Sequence, residues 1–91
     1  IIVRVSILDS NLFQQYPPLS AEVMNKYGGK YIIRGGKTDV LEGEWPVDRT
    51  TVVEFENFES AKKCYESVEY SKAMKIRQNS TKSDLILIEG Y

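Results

Sequence analysis

Arg34 closes the run Lys30-Tyr31-Ile32-Ile33 and is followed at once by Gly35-Gly36. A guanidinium is a planar fork that grips a carboxylate or phosphate through two parallel hydrogen bonds. Glycines beside it let the backbone turn with positive φ and let a ligand come close. That combination suits the mouth of a pocket for a small anion. Trp45-Pro46 and Arg49 follow in a loop, where they offer an aromatic wall and a second cation. Each residue also has a plainer reading. Arg34 is equally suited to an ion pair with Glu54 on a neighbouring strand. Trp45 reads more simply as a ring folded over the end of a barrel or packed against a partner chain.

Tyr65, Tyr70 and Arg77 belong to a helical region, and Tyr70 and Arg77 are spaced to share one face. A tyrosine–arginine pair can hold an anion or place a phenol for acid catalysis; tyrosines of this kind also serve at the rim of a core. The carboxylates Asp39, Glu42, Glu44, Glu54 and Glu89 show no metal-binding spacing. Glu54 enclosed with Glu89 would raise one pKa enough for general-base work, whereas pairing with Arg4 and Arg34 would leave both as structural ions. Cys64 reads as a small buried hydrophobe. The expected ligand-binding set is therefore Arg34, Gly35, Trp45, Arg49, Glu54, Tyr70 and Arg77, with no catalytic residue assigned.

Histidine is absent. That excludes histidine triads, histidine metal sites and a histidine haem ligand. With one cysteine, no calcium-loop pattern and no phosphate-cradling loop that opens a helix, no metal, haem, flavin or nucleotide cofactor is expected. Twelve basic residues against thirteen acidic ones leave a net charge of −1. This balance argues against nucleic acid or an anionic membrane as partner. No apolar run approaches the roughly 18 residues of a membrane span. A lone cysteine fits a reducing compartment, so a cytoplasmic location is expected. The first residue is Ile1 rather than methionine, and one or more residues are expected before it; Ile1 to Val5 alternates as a strand and not as a signal peptide.

Ninety-one residues make one domain. The periodicities predict a strand over 2–8, a helical region after Asp9 broken at Pro17-Pro18, and a stop at Gly28. A second strand covers 30–34 and extends to Leu41 if Gly35-Gly36 forms a bulge. Residues 50–56 are the third strand. Asn57 caps a helix with Phe58, Ala61, Cys64 and Tyr65 inward, Ser67 opens another, and 84–89 form the fourth strand.

The order β-α-β-β-α-β predicts an α+β fold of ferredoxin-like type: a four-stranded antiparallel sheet with its helices on one face. Alternation assigns Arg4, Ser6, Ile32, Arg34, Val52, Glu54, Leu85, Leu87 and Glu89 to the other face. Four apolar side chains there call for a cover, and a second copy of the chain would supply it. A homodimer through the helix-free sheet face is expected.

Several motifs together carry a family resemblance. They are Gly28-Gly29-Lys30-Tyr31 to Arg34-Gly35-Gly36, Leu41-Glu42-Gly43 with Trp45-Pro46 and Arg49, Val53-Glu54-Phe55, Ala61 with Tyr65, Ser67 with Glu69-Tyr70, Arg77, and Glu89-Gly90. In order and approximate spacing the chain resembles the bacterial family called domain of unknown function 1330, least closely in its first third. The resemblance implies a dimeric α/β barrel of the superfamily that also holds antibiotic-biosynthesis monooxygenases, muconolactone isomerases and stress-responsive barrel proteins. It implies no particular reaction.

Three functions follow as alternatives. One is a cofactor-free isomerase, lyase or oxygenase acting on a small organic acid, with Arg34 binding the anion and Tyr70, Glu54 or water moving the proton. Another is a ligand-binding or stress-associated dimer without chemistry. The third is a structural dimer filled by its own side chains.

Overall fold

A computed structural model describes residues 1–91. The strands are β1 (Ile2–Ile7), β2 (Lys30–Arg34), β3 (Arg49–Glu54) and β4 (Thr81–Ile86), and the helices are α1 (Ser10–Phe13), α2 (Tyr16–Lys26), α3 (Phe58–Glu66) and α4 (Val68–Ser80). The sheet order is β2-β3-β1-β4, and every neighbouring pair is antiparallel. This is the expected α+β, ferredoxin-like arrangement, with β3 slotted between β1 and β2. No helix is long and apolar enough to cross a membrane.

Local chemistry sets most boundaries. The Asp9, Asn57 and Ser67 side chains accept from the amides of Leu12, Ser60 and Tyr70 at 3.1, 2.8 and 3.1 Å, capping α1, α3 and α4. The break after α1 falls at Gln14-Gln15, so Pro17 and Pro18 lie in the first turn of α2, where a missing N–H costs nothing. Gly28 ends that helix with φ +85°.

The core lies between the sheet and the helices. Val3, Val5 and Val53 face Phe13, Tyr16, Val23, Met24, Ala61, Cys64, Tyr70 and Ala73. Fully burying one aliphatic side chain of this kind stabilises the fold by about 1.5–3 kcal/mol. Phe58, expected inward, is 42% exposed, whereas Ala61 and Cys64 are buried and Tyr65 packs against the core as expected.

Three expectations about the strands are corrected. First, β2 does not run on to Leu41, and the irregularity in it is not at the glycines. It falls between Tyr31 and Ile33: Tyr31 pairs with Val53, Ile33 with Val52 and Arg34 with Thr51. Two residues of β2 thus oppose Val52, and alternation shifts by one beyond that point. Arg34 therefore lies on the helix side with Thr51, not on the free face. Second, β4 begins at Thr81 instead of residue 84, because α4 passes straight into it. The Ser80 and Thr81 hydroxyls bond back to the carbonyls of Ile76 and Arg77, at 2.5 and 2.6 Å. Third, β4 pairs Val3 with Leu85 and Ile2 with Ile86. Leu85 and Leu87 pack against the core, and Ile86 and Ile88 are the exposed ones.

The free face carries Ile33, Val52, Ile2 and Ile86 in one row across all four strands. The next row holds Thr50, Arg4 and Asp84. Arg4 pairs there with Asp84 at 3.0 Å, replacing the expected glutamate partners.

Candidate functional site

A narrow cavity opens between the helix side of the sheet and the α1–α2 segment. Its inner wall is apolar: Val3, Val5 and Val53 from the sheet, Phe13 and Met24 from the helices. Its polar lining comes from Arg34, Arg49, Thr51, Tyr16, Ser20 and Tyr31. The volume open to the centre of a water molecule is about 30 Å³, enough for one or two waters or the head of a small acid.

Register puts the two arginines together. Arg34 stands opposite Thr51, and Arg49 lies two residues back along β3 on the same face, opposite Val5. Diagonal neighbours at this spacing are within reach of long side chains. The chain has two ion pairs, Arg4–Asp84 and Lys26–Glu69. Neither Arg34 nor Arg49 has a carboxylate within 4.0 Å. The Arg34 guanidinium sits 4.8 Å from the centre of the Tyr31 ring and makes one long contact, 3.4 Å, to the Pro17 carbonyl. A cation held over an aromatic face stays positioned without being neutralised.

Gly35 completes this mouth. Its φ is +66°, its amide donates to the Thr50 carbonyl at 2.9 Å, and the Arg49 side chain passes directly over it. Behind the apolar wall lies a hydroxyl pair: Tyr16 and Tyr70 place their oxygens 2.7 Å apart. Tyr70 is fully buried, and burial first, then the neighbouring Tyr16, holds its phenol well above the usual tyrosine range. Tyr31 is also raised, chiefly by burial, and its hydroxyl lies 3.4 Å from Ser20 Oγ.

Of the seven residues expected to bind a ligand, Arg34, Arg49 and Gly35 meet at this cavity. Tyr70 and Arg77 lie behind it, on the buried face of α4. Trp45 and Glu54 are on the opposite side of the sheet. The Trp45 Nε1–H donates to Thr50 Oγ1 at 3.0 Å, and its ring covers the Arg4 guanidinium at 5.2 Å. Ser6 donates to the Pro46 carbonyl and Asp48 accepts from the Ile7 amide, so the loop is fastened to the sheet end on both sides of Val47. Glu54 stands opposite Lys30 near the sheet edge, and neither it nor Glu89 makes an ion pair. No group of three or more cysteines and carboxylates converges in a way that could hold a metal ion.

Sequence reasoning missed Tyr16, Ser20 and Tyr31. By spacing, Tyr16 falls with Leu12 and Phe13 on the apolar face of its helical region. The available signal was Ser20 one turn further on, a polar residue on an otherwise apolar inner face.

The family described as "Domain of unknown function (DUF1330)" matches residues 1–91. No curated protein matches the chain. Among solved structures, a protein of unknown function from Rhodopseudomonas palustris is similar in fold, with a TM-score of 0.77 at 20% identity over 93% of this chain and 75% of that one.

Proposed function

We propose that this chain, which belongs to the DUF1330 family, forms one domain that binds a small organic acid and works as a homodimer. The observation that carries the binding reading is the convergence of Arg34 and Arg49 on one cavity without a carboxylate partner. Two guanidiniums in one narrow space repel each other, and a bound anion relieves that repulsion while filling both forks. The apolar inner wall suits a short hydrocarbon part, and the small volume excludes a dinucleotide.

Binding fits this geometry better than catalysis. A cofactor-free isomerase or lyase needs a group that gains or loses a proton near neutral pH. The Tyr70 phenol is held far above that range by burial, and Glu54 is on the wrong side of the sheet.

The dimer reading rests on the free face. Ile32, Ile33, Ile86, Ile88 and Trp45 are each at least 42% exposed, and contiguous apolar surface of this kind marks an interface. A second copy laid on it would bury about 1,600 Å² in total, the size of a stable association.

Calorimetric titration with a panel of short-chain carboxylates tests the binding reading. Wild type should bind at least one acid, and a variant with both Arg34→Ala and Arg49→Ala should bind none while keeping its melting temperature. Equal binding by the two proteins would overturn it. Sedimentation tests the dimer: wild type should run as two chains, and Val52→Lys as one. A wild-type monomer at micromolar concentration would sink it.

A further inference from the structure

The cavity has a direction. Arg49, Thr51 and Val53 alternate along β3 on its helix side, and all three line it. Burial deepens in that order: Arg49 and Thr51 are half-buried and Val53 is 2% exposed. Arg34, opposite Thr51, is exposed. The two cations therefore stand at the open end, and apolar groups close the other. From Thr51 to Val53 the strand advances about 7 Å. Met24 of α2, at 1% the least exposed residue of the lining, meets Val53 at the closed end.

That closed end is held from outside. The Gly29 amide donates to the Met24 carbonyl at 2.7 Å. A Cβ on Gly29 would lie 2.9 Å from that oxygen and 2.9 Å from Val53 Cγ1, so the end of α2 is packed on β3 without slack. On its other side the Met24 sulfur rests 3.6 Å from Sγ of the buried Cys64. A floor backed at interior density does not retreat before a longer ligand.

The space in front of this floor is about 30 Å³, measured at the centre of a water molecule. One water-sized group takes roughly 10–15 Å³ by that measure, and a methylene is of similar size. Two or three heavy atoms therefore fill it. The wall they meet is almost wholly apolar, which suits hydrocarbon and leaves a second polar group of the ligand unpaired.

We infer that Met24 is a specificity-determining residue of this site, a stop that limits the ligand to a straight-chain saturated acid of three or four carbons. The carboxylate lies at Arg34 and Arg49, and the chain runs inward along β3 until it meets Met24. This inference rests on the anion-binding reading and narrows its ligand class.

The test is calorimetric titration with acetate, propanoate, butanoate and hexanoate. For wild type, affinity should rise roughly fourfold per carbon from acetate to butanoate, the worth of one buried methylene, and hexanoate should bind at least tenfold more weakly than butanoate. Met24→Ala should reverse that last ratio, because the space it opens takes the two extra carbons. Val3→Ile, which adds one carbon to the cavity wall opposite Thr51, should weaken butanoate more than acetate; it decides the matter alone if the circular dichroism of Met24→Ala shows that it does not fold. A wild-type affinity that is flat with chain length or still climbing at hexanoate overturns the stop and spares the anion site. So does a hexanoate-to-butanoate ratio that a folded Met24→Ala leaves intact, or a butanoate-to-acetate ratio that Val3→Ile leaves intact. A wild type that binds none of the four acids, nor any other carboxylate, overturns both readings.

Discussion

Arg49 is draped over Gly35 so closely that a Cβ added there would sit 2.7 Å from its Nε and 2.9 Å from its Cζ. Gly35 thus serves two ends: it adopts φ +66°, and it leaves the space that the second guanidinium occupies. Gly35→Ala should cost about 1 kcal/mol of stability, from the left-handed backbone alone. The flexible Arg49 head should swing away, so acid binding should fall far more than stability does. Gly36→Ala, with nothing within 4 Å of the new carbon, should change neither by a comparable amount. Urea denaturation and calorimetry on the two variants check this pair of outcomes.

Arg34→Ala should weaken carboxylate binding by about 1.5–3 kcal/mol, the range for a charge-assisted contact. Its effect on the melting temperature should be small, since the side chain is exposed and makes only one long hydrogen bond within the fold. Arg34→Lys should restore less than half of the loss, because an ammonium keeps the charge but not the fork. Full recovery with lysine would point to a diffuse charge effect in place of two-point binding.

The parts of the fold legible in the sequence were those decided within a few residues. Asp9, Asn57, Ser67 and Gly28 end helices through contacts to their own chain neighbours, and all four act as read. What escaped was decided between strands. Nothing local marks the irregularity at Ile32-Ile33; it exists because β2 has one residue more than β3 offers. That single count moved Arg34 to the cavity and dissolved its expected pairing with Glu54. Likewise Lys82-Ser83-Asp84 looks like a loop by composition. It becomes strand because Ile2–Ile7 supplies partners down to Thr81. Arg34, Gly35 and Arg49 were readable as anion-binding types, whereas Tyr16 and Tyr31 gained their place only from packing.

Lys26, Tyr27 and Glu69 form a surface cluster joining α2 to α4, with Glu69 accepting from Lys26 at 2.6 Å and from Tyr27 at 3.0 Å. The Lys26 hydrogen bond, the largest cause, holds the Glu69 carboxyl below its ordinary 4.5. A depressed carboxyl pKa adds stability above the unfolded value and loses it as the pH falls through the folded one. Glu69→Gln should therefore lower the melting temperature slightly at pH 7 and not at all once the pH is below that folded value. A difference that persisted unchanged at low pH would assign the effect to packing.

Cys64 is fully buried, and desolvation pushes its thiol up to about 11. Its Sγ lies 3.6 Å from the Met24 sulfur and 3.9 Å from the Val23 carbonyl. The folded protein should resist alkylation by iodoacetamide at pH 8, and modification should appear in step with unfolding as urea is added. Rapid labelling of the native chain, followed by mass spectrometry, would contradict this placement.

The extra residue in β2 amounts to a change of parity. A strand that alternates without interruption assigns all its odd positions to one layer and all its even positions to the other. Here Tyr31 and Arg34 both reach the cavity side, while Ile32 and Ile33 side by side meet the outer surface. Five residues can therefore answer to two selective demands that would otherwise compete for the same positions. Substitutions at 32 and 33 alter how the surface is covered, and substitutions at 31 and 34 alter what the interior receives. Losing one residue by deletion would fuse the two, carrying the Arg34 charge into the middle of an apolar surface and emptying half of the cavity mouth in the same event. A change in the length of β2 therefore disturbs both surfaces at once, whereas a substitution within it disturbs one.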